Sequence, residues 1–515
     1  MLESYYIWMI FHLSLSFLLG LVIYFSKQGF WINVLLISYI CWILFGYLPQ
    51  QVSIYELLLK ITLPASGINI LLFAFLPEPH PHVTDHTFCL KLNLKNRKLK
   101  LENIRKGISV IGAAGSGKTQ SVVFNTLEHF RKHSFSGLIH DYKDFELTEL
   151  AYPLFKDGDL PFYIISFDQC VHRVNPIAPR YMIDQESINE MARVLLVNLT
   201  EQRDVVASGT LRFFHDVAEG IIAGLIWKIK TEDPLNCSLP YLINCYQAMD
   251  NQSLAEYLSS DPVSRNMAAA YLNGLESERQ TAAARSTLSN AFKKITSNRI
   301  FDVLSKDEIP LDINNPDNPA VVCIVNNPKF ETAYTPVISS IIHTIIKQMS
   351  VRDRCPSFLL MEEAPTIRLL HMHRVPATLR SFNICTVYVM QDRSQIDLVY
   401  GEKASRAIMS NLSYQFFGKV NDPDTAKYFE RFFELIQKDS ISISEGQNLD
   451  FDARITRSKR EVAQLRADLF FRLQPGEFVC YADGKAYPIV FENSKIIREL
   501  PKLSLGKISS LESPI

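Results

Sequence analysis

A glycine-rich segment at residues 112–119 restricts the possible folds of this chain more than any other part of it. Its sequence, GAAGSGKT, satisfies the phosphate-loop pattern G-x-x-x-x-G-K-[ST]. The short apolar run Ile108–Ile111 comes directly before the segment and predicts a buried strand, and the residues after it have the pattern of a helix. The order strand, glycine turn and helix predicts a site for a nucleoside triphosphate.

Each residue type in this segment has a physical role beside a phosphate group. The glycines let backbone N–H groups turn towards phosphate oxygens. Lys118 can reach the terminal phosphates, and the Thr119 hydroxyl can hold Mg²⁺. We therefore expect ATP and Mg²⁺ as cofactors. The predicted nucleotide-binding residues are Gly112, Ala113, Ala114, Gly115, Ser116, Gly117, Lys118 and Thr119.

The N-terminal region predicts insertion into a membrane. No Asp, Glu, Lys or Arg occurs between Glu3 and Lys27, and the apolar stretches 6–25 and 31–47 are each long enough to span a bilayer. A third stretch, 61–75, is shorter and contains proline and glycine, so two and three spans both remain open. The basic segment that follows favours a cytoplasmic position for the rest of the chain by the positive-inside rule.

Overall composition limits the function classes. The chain has 53 basic and 54 acidic residues, so it carries no global signal for nucleic-acid binding, and any DNA contact must be local. The nine cysteines show no C-x-x-C pair and no zinc-ligand spacing, which indicates reduced cysteines within a core.

Short apolar runs alternate with helical patterns after the phosphate loop. The runs 137–140, 162–167, Val321–Val325, Ser357–Met361 and Ile384–Met390 predict the buried strands of a doubly wound parallel sheet. A small β-hairpin is predicted before the sheet, over residues 88–101. Long helical patterns replace the strands between the two halves of this alternation, which predicts an inserted all-α domain.

The expected organisation therefore has four parts. We assign 1–80 to a transmembrane region, 81–179 to the first part of the nucleotide domain, 180–309 to the all-α insertion and 310–515 to the second part of the nucleotide domain.

Polar residues follow two of the predicted strands. Glu362 and Glu363 end one apolar run, as expected where an NTPase needs one carboxylate for Mg²⁺ and another to polarise the attacking water. Most such sites have Asp at the first of these two positions. The side chain of Glu362 is one methylene longer, so its contact with the metal would run through water or need a small backbone adjustment. Gln391 ends the next strand, at the edge where ligands bind in doubly wound sheets, and can sense the γ-phosphate.

With the phosphate loop, the paired glutamates and Gln391 in this order, the chain resembles the type IV coupling proteins, the TraG/TraD family of conjugation and type IV secretion. The EEAPT and ATLRS segments resemble the branch found in Bacteroidetes mobilizable elements. The resemblance rests on the N-terminal membrane hairpin, GAAGSGKT (112–119), DYKDFEL (141–147), VNP (174–176), LLMEEAPT (359–366), MQDRSQI (390–396), SNLSYQFFGKVNDPDTA (410–426) and LQPGEFVCY (473–481).

The resemblance implies a RecA/FtsK-like P-loop NTPase domain with an inserted all-α domain and an N-terminal transmembrane helical region. It implies a multi-pass protein of the bacterial inner membrane, a homo-hexamer with ATP between subunits and its ATPase domain in the cytoplasm. Such a ring would drive DNA or a relaxase–DNA complex into a type IV secretion channel.

The expected catalytic residues are Lys118, Glu363, Gln391 and an arginine from the neighbouring subunit. Arg380 is the first candidate for this arginine and Arg285 the second. Three alternatives remain open: a secretion ATPase with protein cargo, a nucleotide-binding membrane scaffold with weak turnover and a chromosome pump of the FtsK/HerA type.

Overall fold

In the computed structural model of the chain, the structure describes residues 86–95, 97–200, 209–433, 435–444, 454–463, 465–492 and 495–501. For residues 209–212, 435–444 and 454–463 the description covers the backbone. Residues 86–515 cluster as one compact unit.

The prediction of a multi-pass inner-membrane protein is corrected. Within the described ranges, no helix is both long enough and apolar enough to cross a membrane. The helix Gly209–Glu232 has 24 residues, but charged residues such as Asp216 and Lys228 interrupt its apolar pattern, and charges are costly within a bilayer. The predicted spans 6–25, 31–47 and 61–75 lie outside the residues that the structure describes.

Strands follow the predicted apolar runs closely. The predicted hairpin is confirmed by antiparallel pairing of its two strands. The strands are β1 Leu90–Asn93, β2 Lys98–Leu101, β3 Ile108–Ile111, β4 Ser136–Asp141, β5 Phe162–Ser166, β6 Val321–Val325, β7 Ser357–Met361, β8 Ile384–Met390, β9 Tyr414–Phe417, β10 Leu435–Ser444, β11 Arg454–Ala463, β12 Glu477–Ala482 and β13 Lys485–Val490.

Helices occupy most of the remaining described chain. A π-helical turn, Thr119–Val123, leads directly into the first of them. The α-helices are α1 Phe124–Lys132, α2 Thr148–Phe155, α3 Gln185–Thr200, α4 Gly209–Glu232, α5 Leu239–Ala248, α6 Asn251–Ser259, α7 Pro262–Met267, α8 Ala269–Asn273, α9 Glu278–Lys293, α10 Asn298–Val303, α11 Glu331–Met349, α12 Val375–Leu379, α13 Arg393–Tyr400, α14 Glu402–Ser410, α15 Pro423–Glu430 and α16 Ala467–Arg472.

A nine-stranded sheet organises the fold, in the order β13-β12-β9-β3-β8-β7-β4-β6-β5. From β9 to β5 all neighbouring strands are parallel. The expected α/β fold is therefore confirmed. At one edge β12 pairs antiparallel with both β9 and β13, and the sequence analysis did not predict these three strands.

Helices cover both faces of the sheet. Alternate residues of one strand enter two different hydrophobic clusters. In β7, Leu359 and Met361 join the cluster that contains residues of α3, α4 and α11, whereas Phe358 and Leu360 join the cluster with α1 and α2. Burial on both faces explains why the parallel strands read as continuous apolar runs.

The helical segment that replaces strands is the connection between β5 and β6, which are neighbours in the sheet. It contains α3 to α10, and its described residues form no strand. Leu195 of α3 and Ile222 of α4 belong to the same hydrophobic cluster as sheet residues. The limits of a separate domain at 180 and 309 therefore stay predictions.

Candidate nucleotide site

Apart from Arg380, the predicted site residues lie at the carboxyl ends of three neighbouring strands, β3, β8 and β7, and β4 comes next in the sheet. Backbone hydrogen bonds continue beyond the strands and hold these ends together. Gly112 N–H donates to the Met390 carbonyl over 3.2 Å, and Glu362 N–H donates to the His140 carbonyl over 3.1 Å. Burial lowers the pKa of His140 to about 4, and this neutral imidazole lies 3.0 Å from the Glu362 carbonyl through Nδ1.

The phosphate loop is held by contacts to distant parts of the chain. Ala113 N–H donates to the Lys419 carbonyl over 2.6 Å, and Gly476 N–H donates to the Ser116 carbonyl over 3.0 Å. Gly117 has a φ of +87°, and a Cβ added there would lie 2.8 Å from the Gly476 nitrogen. Both the left-handed backbone and the close approach therefore require glycine at this position.

Gly476 is a residue that the sequence reasoning did not assign to the site. Its motif, LQPGEF, contributed to the family resemblance, but nothing in its local pattern indicated contact with the phosphate loop. The contact depends on the antiparallel strand β12, which begins at Glu477 and lies beside β9 in the sheet.

Lys118 is buried inside the loop, with 7% of its surface exposed. Its ammonium donates to the Gly112 carbonyl over 2.5 Å and to the Ala113 carbonyl over 3.3 Å. Burial lowers the pKa of Lys118, while the carboxylate of Glu363 acts in the opposite direction. A buried cation held only by carbonyl oxygens is well suited to a more negative partner such as a phosphate oxygen.

Thr119 begins the π-helical turn that precedes α1. The first N–H groups of such a helical segment attract anions, and the hydroxyl of this residue lies at the same end. Ser121 N–H donates back to the Gly117 carbonyl over 3.0 Å, which closes the loop onto the helix.

Glu363 and Gln391, predicted from separate strands, are in direct contact. The Gln391 amide donates through Nε2 to Glu363 Oε1 over 3.1 Å. Glu363 is 3% exposed and has a φ of +43°, a left-handed conformation that costs energy for a residue with a side chain. Strained residues of this kind are concentrated at functional sites.

Lys143 is the second residue that the sequence reasoning did not assign. It lies just beyond β4, and its Nζ is 3.2 Å from Glu363 Oε1 and 3.9 Å from Glu362 Oε1. Although burial acts to lower the pKa of Lys143, the two glutamates raise it. Its motif, DYKDFEL, marked a strand end, but only the sheet order brings β4 beside β7.

Glu362 is a buried carboxylate whose oxygens accept no hydrogen bond from the described residues. It is 3% exposed. Burial, followed by the nearby Asp141, raises the pKa of Glu362 to about 8. Asp141 is itself satisfied, since Thr148 donates to its Oδ2 from both the backbone N–H and the hydroxyl, over 2.7 and 2.6 Å.

The two Glu362 oxygens, which accept no hydrogen bond from the described residues, fit a metal cation. Buried polar atoms without partners call for one, and Mg²⁺ prefers oxygen ligands. The described residues contain no group of three or more His, Cys, Asp or Glu side chains arranged for a metal. A magnesium ion held by Glu362 and Thr119 would therefore complete its coordination with phosphate oxygens and water.

Arg380 lies away from these residues. It is exposed and begins the turn Arg380–Phe382 at the amino end of β8, whereas Gln391 follows the carboxyl end. A strand of seven residues separates the two positions by roughly 20 Å. Arg380 borders a surface cavity of about 520 Å³ together with other basic residues, Lys106, Arg393 and Arg406.

Arg285 has a structural explanation. Its Nη2 donates to the Met249 carbonyl over 2.7 Å, and its guanidinium lies 4.7 Å from the centre of the Tyr246 ring. Both contacts lie at the C-terminal end of α5, so this arginine stabilises a helix end.

The comparisons with known proteins agree with this architecture. The family described as "Type IV secretion-system coupling protein DNA-binding domain" has a sequence model that matches residues 98–469. The chain is similar to the bacterial conjugative coupling protein TrwBdeltaN70 in its unbound monoclinic form, with a TM-score of 0.63 and 12% identity over 81% of this chain and 92% of that one.

It is also similar to the plasmid coupling protein TrwB in complex with ADP and Mg²⁺, with a TM-score of 0.60 and 12% identity over 78% of this chain and 89% of that one. At such identities the likeness concerns the fold. No curated protein sequence matches the chain.

Proposed function

Because this chain belongs to the family of type IV secretion-system coupling proteins, we propose that it is an ATP-hydrolysing motor for DNA. It would recruit DNA, alone or attached to a relaxase, and move it into a type IV secretion or conjugation channel. One observation supports the proposal that the chain hydrolyses ATP. Five polar side chains from four separate segments of the chain meet at one edge of the sheet: Lys118, Lys143, Glu362, Glu363 and Gln391.

The chain binds ATP and Mg²⁺ at this site. The structurally similar TrwB has been solved with ADP and Mg²⁺ and with the ATP analogue ADPNP. In this chain, the glycine loop and Lys118 would hold the phosphates, and Thr119 and Glu362 would hold the metal. Bound Mg²⁺ neutralises negative charge on the transferred phosphoryl group.

Glu363 is proposed to activate the attacking water. Its Oε1 accepts from Gln391 and lies 3.2 Å from the Lys143 ammonium. These two contacts orient the carboxylate, so that its second oxygen can take a proton from water. Gln391 then joins the water-activating residue to the strand end nearest the phosphate loop, which suits a sensor of the γ-phosphate.

A ring of subunits, a homo-hexamer of RecA/FtsK-like domains, is proposed for the assembled motor. The position of Arg380 supports an action across a subunit interface, because it lies about 20 Å along β8 from its own nucleotide site. An exposed arginine can reach a phosphate of a neighbouring subunit and stabilise charge in the transition state. Arg285 is engaged at a helix end and is the weaker candidate.

The helical segment at 180–309 is proposed as the all-α domain that meets the transported substrate. Its support is topological. It interrupts the sheet between two neighbouring strands, so it can vary without disturbing the strand ends that form the nucleotide site.

ATP hydrolysis by the purified full-length chain tests this proposal. It would be measured with and without single-stranded and double-stranded DNA, beside the Lys118→Ala and Glu363→Gln variants. We expect hydrolysis that rises with DNA, and a loss of roughly 10²–10⁴-fold when the general base is removed.

A nucleotide-binding scaffold is the second candidate, and the burial of Glu362 favours it. A carboxyl group whose pKa is raised to about 8 is largely protonated at neutral pH and binds Mg²⁺ weakly. Tight nucleotide binding without turnover, with or without DNA, would support this candidate and contradict the motor.

A further inference from the structure

The strands β10 and β11 form a two-stranded ribbon that stands apart from the nine-stranded sheet. Each strand has ten residues, and they pair antiparallel along their whole length, from Leu435 opposite Ala463 to Ser444 opposite Arg454. Because side chains alternate between the two faces of a strand, this register decides which residues share a face.

One face of the ribbon, here called the basic face, combines cations with hydroxyl groups. It contains no Asp or Glu. From the start of β10 to its end, the residue pairs of this face are Ile436–Val462, Lys438–Arg460, Ser440–Ser458, Ser442–Thr456 and Ser444–Arg454.

The opposite face has a different composition. It has two cations, Arg457 and Lys459, and two carboxylates, Asp439 and Glu461, so its formal charge is zero. Its remaining positions are mainly apolar. All of the net positive charge of the ribbon therefore belongs to the basic face, in a chain with a net charge of −1.

The register also creates an electrostatic conflict. Lys438 lies directly opposite Arg460, and like charges at facing positions destabilise a strand pair. On the other face, Asp439 lies opposite Lys459, which is a favourable pair. Opposite charges therefore face each other on one side of the ribbon, and like charges face each other on the basic face. This arrangement indicates an anionic partner for the basic face.

The spacing of this face suits a phosphate backbone. Successive residues on one face of a strand are about 7 Å apart, so the pairs from Lys438 to Ser444 extend over roughly 20 Å. A two-stranded ribbon fits the major groove of duplex DNA. Lys, Arg, Ser and Thr, which supply the pairs from Lys438 outward, commonly contact phosphate oxygens, and such contacts carry no sequence information.

We infer that the basic face of the β10–β11 ribbon binds the phosphate backbone of DNA without sequence preference. This inference rests on the proposed function and adds a location for the DNA contact. That location lies outside the all-α segment and the nucleotide site. It also agrees with the near-neutral charge of the whole chain, which requires any DNA contact to be local.

Matched substitutions on the two faces test the inference. The Arg454→Gln/Arg460→Gln variant removes two cations from the basic face, and Arg457→Gln/Lys459→Gln removes two from the opposite face. The binding constant of the full-length chain for a labelled DNA duplex would be measured over a series of salt concentrations. ATP hydrolysis without DNA is expected to equal that of the parent in both variants, which shows that they fold.

Each phosphate contact contributes about 0.9 to the slope of log K against log salt concentration. The basic-face variant is therefore expected to lose roughly two units of slope, and the control variant to keep the parent slope. An equal loss in both variants, or the parent slope in both, would overturn the inference.

A change in oligomeric state with an unaltered salt slope would also overturn it, because the basic face would then contact a second copy of the chain. The failure of the proposed function has a different signature. If the proposed function fails, the parent protein itself binds no DNA. If only the inference fails, the parent binds DNA and the basic-face variant has the same salt slope as the parent.

Discussion

Charged side chains are buried at the carboxyl ends of the parallel strands and more exposed at the amino ends. At the carboxyl ends, Glu362, Glu363 and Lys118 are buried, and Lys143 lies within 4 Å of both glutamates. At the amino ends, Lys106, Arg380 and Arg406 border an open cavity. Arg406 pairs there with Glu402, and both side chains are more than 60% exposed.

The buried charges lie at the proposed catalytic site, and the exposed ones lie outside it. Buried charges that lose a partner leave an uncompensated group, which is costly, whereas exposed ion pairs contribute little. We therefore expect few substitutions to be tolerated at the carboxyl ends. The amino ends tolerate many, unless another subunit uses them.

Arg380→Ala is expected to have the largest effect of any substitution at the amino ends. If Arg380 acts across a subunit interface, hydrolysis by the assembled protein is expected to fall by roughly 10³-fold or more, while the stability of the subunit is unaltered. Steady-state ATP hydrolysis and thermal unfolding measure the two effects. The control is Arg406→Ala at the same cavity, with expected hydrolysis close to the parent value.

Mixing variants tests the direction of the Arg380 contact. Subunits with Lys118→Ala still supply Arg380, and subunits with Arg380→Ala still supply Lys118. An equimolar mixture of the two is therefore expected to recover hydrolysis that neither variant shows alone. A mixture as inactive as its components would contradict an action in trans.

Lys143→Met probes the buried network at the carboxyl ends. A hydrogen bond to a charged group contributes about 1.5–3 kcal/mol, so kcat is expected to fall by roughly 10- to 100-fold. The KM for ATP should change less than kcat, because the nearer contact of Lys143 is with Glu363, at 3.2 Å, and its contact with Glu362 is longer, at 3.9 Å. The conservative Lys143→Arg variant should recover part of kcat. An equal loss in both variants would assign Lys143 a structural role instead.

Gly117→Ala and Gly115→Ala separate crowding from backbone strain in the phosphate loop. Both glycines have positive φ, +87° and +76°, but only the Cβ at position 117 would crowd Gly476, since nothing lies within 4 Å of the one at position 115. Strain alone costs of order 1–3 kcal/mol, and Gly117→Ala should exceed Gly115→Ala. Denaturant unfolding measures this difference, and equal losses would show that Gly476 moves aside.

Lys106→Met is expected to have the smallest effect. Lys106 pairs with Asp483 over 2.7 Å, and the two side chains are 30% and 46% exposed. Such pairs contribute about 0–1 kcal/mol to stability. Unfolding in urea should therefore show a change within this range. A loss above it would mean that the amino ends depend on their charges as the carboxyl ends do.

Local patterns in the sequence predicted much of the candidate site, whose catalytic roles stay predictions. The phosphate loop, the strand before it, the carboxylates Glu362 and Glu363, and Gln391 each follow from a short run of residues and its ending. They could be predicted because a buried parallel strand must be apolar and a ligand site lies beyond its carboxyl end. The contact between Glu363 and Gln391 followed once their strands proved to be neighbours.

Other features depended on strand order, which no local pattern encodes. Lys143 reaches the glutamates because β4 pairs with β7, more than 200 positions further along the chain. Gly476 closes on the phosphate loop because β12 joins β9 antiparallel at the sheet edge. The expected membrane localisation was wrong as judged from the described residues, where charges interrupt the longest apolar helix.

By itself, then, the sequence determined that this chain forms an α/β sheet with a phosphate loop and paired carboxylates at strand ends. Those properties arise from neighbours in the chain, through apolar runs, glycine conformations and chain reversals. The tertiary structure alone decided which cation lies beside the carboxylates, which loop closes the site and that Arg380 lies at the far end of β8. Such contacts join residues distant in sequence, and only the order and direction of strands in the sheet bring them within bonding distance.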